Sequence, residues 1–258
     1  MQSGYRRRGV IRTLATIWLS WLFGRSEATK SETVESKGPH TPDFEKFRYD
    51  FFEDPDSARD YLQTAHLLAL RGDERTLAES MLLDFLPDSR AVIGLGALRS
   101  QRAAPRLYEI FEAERRKAGH AYATGATDVN LLQLIFVSTA LWRIRPSETF
   151  AQALIDNLNR SPRPLERSDS ASALAEMPIP EVNAALLARI DDPDQLVRYH
   201  AARGLLLIHG EKLDPSDTRS ISFLVGSMEP GQRESGARSL LAAIAGKPLG
   251  LHEGDADK

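Results

Sequence analysis

Apolar positions recur at helical spacing along most of the chain, most regularly in residues 191–210, DDPDQLVRYHAARGLLLIHG. Read as a helix, this stretch puts Val197, Ala201, Gly204, Leu205 and Ile208 on one face, the three-and-four spacing of a buried stripe. Its ends carry boundary signals: Asp192 to cap the first turn, Pro193 for the first helical position, Gln195 to complete a capping box, and Gly210 for a left-handed stop. The small residues Ala201, Ala202 and Gly204 allow a neighbouring helix to come close. Patterns of this kind predict eleven helices, over 56–70, 74–85, 89–100, 104–118, 129–144, 147–158, 165–177, 180–190, 193–208, 217–228 and 231–245. Asp, Pro, Ser and Gly fill the breaks, and no alternating run is long enough to be a credible strand.

The helices fall into a repeat. Arg167…Ala173-Leu174, Arg198…Gly204-Leu205 and Arg233…Ser239-Leu240 align with offsets of 31 and 35 residues, and Leu141 precedes Leu174 by 33. The segments AAPRLYEIF, SETFAQALIDNL and IPEVNAALLARI, which precede members of this series, each set a small or apolar residue before a Leu/Ile stripe. Through these motifs, and most specifically through LVRYHAARGLLLIHG, the chain resembles the HEAT-like repeats of the short, phycobilisome-lyase type over roughly residues 56–246. The resemblance implies an all-α fold, a right-handed α-solenoid of antiparallel helical hairpins, with binding on the concave side lined by the second helix of each pair. It also implies a ladder in which a turn aspartate stands six residues before an arginine. Asp84 with Arg90 and Asp192 with Arg198 keep that spacing, whereas Ser161 before Arg167 and Ser227 before Arg233 do not. Arg167 and Arg233 are therefore expected to be solvated or available to a partner.

Composition narrows the chemistry. With 258 residues, 42% hydrophobic and 27% charged, the chain can bury one sizeable or one continuous stacked core. The absence of cysteine excludes disulfides, thiolate metal sites and cysteine nucleophiles, and leaves the compartment open. No two of the six histidines are three or four apart, so no helix offers the two-histidine side of a zinc site. Gly94-Leu95-Gly96 lacks the third glycine and preceding strand of a dinucleotide turn and reads as close helix packing. The runs DPD at 54–56 and DDPD at 191–194 lack the further oxygens of a calcium loop and read as helix caps. Neither a phosphate loop nor a serine hydrolase motif is present, so no catalytic residue, cofactor or metal is predicted. The alternative is an enzyme on the same scaffold, bilin-lyase-like or DNA-repair-glycosylase-like. For the latter Trp142 with Arg143 and Arg145 is the one comparable cluster, and Trp142 reads as core.

Charge divides the chain. The net charge is −3, but residues 1–30 hold six basic and one acidic residue, +5, leaving −8 for the remainder. An acidic body is poorly matched to a phosphate backbone, so nucleic acid is not the expected partner. Residues 1–28 combine Arg6–Arg8 with a short apolar run from Thr13 to Phe23, too short to span a bilayer as a helix and of the length of a signal-peptide core. As a helix the same stretch gathers Leu14, Trp18, Trp21, Leu22 and Phe23 opposite a polar arc, a face suited to lying in a membrane surface. Docking on the body is the third reading.

Residues 29–42 read as a flexible linker, 43–248 as the repeat domain and 249–258 as a disordered tail. Phe44, Phe47, Tyr49, Phe51 and Phe52 are expected to cover the exposed end of the first repeat, and 115–128 to form a long loop. The expected function is a non-catalytic scaffold or adaptor, membrane-associated or exported, with a cytoplasmic location as the alternative. It would bind a protein or peptide partner of acidic character through Arg143, Arg167, Arg198, Tyr199, Arg203, Arg233 and Arg238.

Overall fold

The structure is a computed structural model and describes residues 40–54, 62–211 and 220–250. The membrane-facing candidates Leu14, Trp18, Trp21, Leu22 and Phe23 lie outside the described residues, as do residues 251–258. Among the described residues the regular elements are all helical.

The first helix, α1 (Pro42–Arg48), begins where Thr41 accepts the Phe44 amide on its hydroxyl and Pro42 takes the first position, which has no need of an amide proton. It runs into a π-helical turn (Tyr49–Glu53). Together they bury Phe44, Phe47 and Phe51, while Tyr49 stays exposed, so the aromatic run is itself a helix packed on the helices that follow. A Cβ on Gly94 would lie 2.6 Å from the Phe51 ring and 2.9 Å from Leu82, which is why glycine stands there. The backbone amide and hydroxyl of Thr41 both donate to Glu74, at 2.7 and 2.6 Å, tying this cap to a later helix.

Five helical pairs follow the short α2 (Ala65–Ala69): α3 (Gly72–Asp84) with α4 (Ser89–Ala97), α5 (Ala104–Thr124) with α6 (Leu132–Ile144), α7 (Glu148–Arg160) with α8 (Pro164–Leu174), α9 (Pro180–Leu187) with α10 (Gln195–Ile208), and α11 (Ile221–Gly226) with α12 (Pro230–Ile244). The second helices pack in chain order, α4 on α6, α6 on α8, α8 on α10 and α10 on α12, and among the first helices α5 packs on α7 and α7 on α9. This is the stacking of an α-solenoid, in which each pair buries its apolar faces only against its neighbours. The approach of the second helices is close: a Cβ on Gly96 would stand 2.7 Å from Ala140 Cα, and one on Gly204 3.0 Å from Leu186 and 3.4 Å from the Ala171 carbonyl. Helix α6 is apolar nearly all round because two cores meet on it: Leu134, Val137 and Leu141 belong to the first, Ile135 to the second.

Three local expectations need correction. The stretch 115–128 is mostly helix, since α5 continues to Thr124, burying Ala118 and Ala121 before Gly125 turns left-handed at φ 69°. In the stretch expected as a helix over 56–70, residues 62–64 are not helical and α2 covers Ala65–Ala69, while residues 56–61 lie outside the described residues. The N-cap of α10 is Asp194, whose carboxylate accepts the amides of Leu196 and Val197 at 2.9 and 3.2 Å; Asp192 is turned inward. The stripe itself holds: Val197, Ala201, Gly204, Leu205 and Ile208 are all buried, and Gly210 is left-handed at φ 76°.

Candidate functional site: an arginine ladder across the second helices

Arg167 and Arg198 are placed by the repeat itself, because each lies one turn into a second helix whose capping turn and following neighbour both offer it oxygen acceptors. Arg167 forks onto Asp192 of the following pair, Nε to one oxygen at 3.2 Å and Nη2 to the other at 3.0 Å, while Nη1 donates to its own turn at the Ser161 carbonyl, 3.1 Å away. Asp192 also accepts the Asp194 amide at 3.0 Å and has Arg189 at 3.6 Å. Burial alone would raise the Asp192 pKa, but the hydrogen bonds from Arg167 and Asp194 outweigh it and hold the carboxyl below its ordinary value.

Arg198 uses carbonyls only. It donates to Asp192 and Pro193 of its own turn at 2.8 and 3.1 Å, and to Val225, Gly226 and Ser227 of the next turn at 3.2, 3.2 and 3.0 Å. Its pKa is lowered, first by burial and then by the charge of Arg233. The expected ladder is therefore present but wired differently. The Asp192 carboxylate serves the arginine of the preceding repeat, not the one six residues ahead, and Arg167 is held rather than available. A serine at 161 does not break the ladder, because the acceptor there is the backbone carbonyl, which every residue type supplies.

The other candidates divide. Arg143 pairs with both carboxylate oxygens of Glu176, the Nε contact being 2.6 Å, and Trp142 Nε1 donates to the Glu176 carbonyl at 3.0 Å. Tyr199 lies edge-on to His200, ring centroids 5.0 Å apart, and packs against Gly226, where an added Cβ would stand 2.9 Å from the Tyr199 Cβ. Arg203, Arg233 and Arg238 have no hydrogen-bond or ion-pair partner among the described residues. Arg203 and Arg238 are 35 residues apart, the offset that relates Arg198 to Arg233, and so hold the same position on neighbouring second helices.

Sequence reasoning missed a buried polar seam between α5, α7 and α8. Glu166, 1% exposed, accepts the Leu131 amide at 3.0 Å, the Ser161 hydroxyl at 2.7 Å and Arg163 Nη1 at 3.0 Å. Asn157 accepts the Tyr122 hydroxyl at 2.7 Å and donates to Ser170 at 2.9 Å. Burial pushes the Tyr122 pKa up, with the charges of Glu166 and Asp156 adding to it, and burial together with Glu166 raises Asp169. The signal in the sequence was polar residues on a stripe otherwise apolar, which a periodicity reading discards. Among the described residues no group of three or more His, Cys, Asp or Glu could hold a metal ion. A groove of about 370 Å³ on the first-helix side is lined by Arg115, Glu148, Gln152, Asp156 and Glu181.

Residues 151–244, from within α7 to the end of α12, match the family described as HEAT repeats. No curated protein and no solved structure is significantly similar to the chain. The matched span contains three helical pairs linked by Arg167 and Arg198, and over it the chain is similar to HEAT repeats.

Proposed function

We propose that the chain is a non-catalytic protein-binding scaffold that engages an acidic partner through the second-helix row. HEAT repeats commonly mediate protein interactions, which supports a protein partner in general. The observation that carries the finer reading is the pair Arg203 and Arg238. They stand in register on α10 and α12 without an acceptor among the described residues, while Arg143, Arg167 and Arg198 are engaged inside the fold. A guanidinium with no acceptor of its own offers a fork suited to a carboxylate, and two of them on adjacent helices favour a partner segment with spaced acidic residues. Residues 1–28 would bring this scaffold to a membrane surface or across it, by the basic head and apolar run described above.

The test is affinity capture from native membranes and cytosol with the unaltered chain and with Arg203→Glu combined with Arg238→Glu. The double variant is expected to lower recovery of the specific partner at least about tenfold, with unchanged helicity and melting temperature and with the residual capture sensitive to salt. Equal recovery by both proteins would rule the two arginines out as the binding surface.

A further inference from the structure

Among the described residues the stack of second helices is closed at its start by α1 and the π-helical turn, and no helix lies over α12 at its end. At the start, α1 and the π-helical turn lay Phe44, Phe47 and Phe51 over α2–α4. At the end, α12 fully buries only Gly236 and Leu240. The repeat register gives this a measure. Ala175, Leu206 and Leu241 occupy one position in successive repeats, and their exposures are 5%, 2% and 46%. The first two have a following hairpin packed on them, and Leu241 has none among the described residues. Met228, in the turn leading into α12, is 77% exposed.

The arginine position tells the same story in polar terms. Arg167 and Arg198 each divide their donors between their own turn and the turn of the next repeat. Arg233 has neither. The Ser227 carbonyl of its own turn is taken by Arg198 at 3.0 Å, and no further turn lies beyond it among the described residues. Its charge instead sits close enough to Arg198 to disfavour that arginine's protonation. Two neighbouring guanidinium groups with one lacking an acceptor call for an anion, and the Arg167–Asp192 fork shows the form it takes in this fold: a carboxylate in the turn of a helical hairpin.

We propose that this end face takes a helical hairpin from a protein partner in trans, with a carboxylate of its turn on Arg233 and an apolar helix face over Leu241. The proposal rests on the scaffold reading only in taking the partner to be a protein, and it uses residues other than Arg203 and Arg238. A second copy of the chain docked face to face about an axis through this position would set Arg233 against Arg233. The chain between Lys247 and Gly250 runs back onto the end of α10, where the Gly250 amide donates to the Ile208 carbonyl at 2.8 Å, away from Arg233.

The probe is a synthetic peptide of residues 180–210, the chain's own hairpin with Asp192 in its turn, offered free to the full chain. It is also joined after residue 258 by a flexible Gly/Ser linker that raises its effective concentration to about millimolar. Saturable binding of the free peptide is expected. Arg233→Glu and Leu241→Glu in the full chain should each weaken it at least tenfold, and Asp192→Lys in the peptide should restore binding to the Arg233→Glu chain. In the linked form, hydrogen exchange across 233–245 should slow.

Failure of both forms to bind or protect α12, or binding indifferent to Arg233→Glu and Leu241→Glu, overturns the proposal. So does binding seen only after residues 251–258 are removed, which makes that acidic segment the occupant. A dimer of the full chain that Leu241→Glu dissociates overturns it in favour of self-association. Loss of the Arg203/Arg238 effect with the peptide results intact would sink the scaffold surface and leave the end face standing.

Discussion

Asp192 is the residue on which two repeats depend, and its behaviour with pH follows from its partners. Its folded pKa is depressed, so the stabilisation it provides is complete above the unfolded carboxylate value near 4 and is lost as pH falls through the folded value. Asp192→Asn leaves the Arg167 guanidinium, 12% exposed, without its counter-charge. Removing one member of a buried pair costs about 3 kcal/mol, so urea unfolding at pH 7 should show a loss of that order, shrinking as pH drops below about 4. A loss independent of pH would mean the pair acts through packing alone. The spacing of Asp192 and Arg198 was visible in the sequence, but the true partner of the carboxylate lies 25 residues earlier, at Arg167, and only the packing of α8 on α10 brings them together.

Helix α10 shows how far local pattern carries an element. Its buried stripe and its left-handed stop are both legible as spacing and residue type, because a 3.6-residue period and a positive φ are properties of the chain itself. Leu205→Ala removes a side chain with no solvent exposure and should cost about 2–5 kcal/mol, whereas Leu196→Ala, at a position 51% exposed, should stay within about half a kcal/mol. Equal effects in thermal melts would contradict the assignment of faces. The start of α10 was placed two residues early since Asp192 and Asp194 are both good capping residues; the choice fell to Asp194 because Asp192 is needed by Arg167. Helix α5 was read too short for a related reason. Ala118 and Ala121 are weak hydrophobic signals, and their burial depends on α5 having neighbours to lie against.

For the molecule as a whole, the described core clusters begin at Phe44. Deleting residues 1–39 is therefore expected to leave helicity and melting temperature within about 2 °C of the full chain while shifting the protein from the membrane to the soluble fraction. Unfolding of the shortened chain would make the N-terminal segment part of the packed body and end the targeting reading. No helix among the described residues is long and apolar enough to cross a membrane.

Periodicity, capping residues and the 31- and 35-residue offsets are local or one-dimensional features, and they were enough to establish an all-helical repeat, the boundaries of most helices and the buried face of α10. Contacts between residues of different repeats are not written in that form. Which arginines are spent inside the fold, that Glu166 and Glu176 are the acids receiving Arg163 and Arg143, and that Leu241 and Arg233 have no following hairpin among the described residues all depend on which helix lies beside which. A side chain's identity states what it can bind; its availability is set by the neighbour that packing supplies.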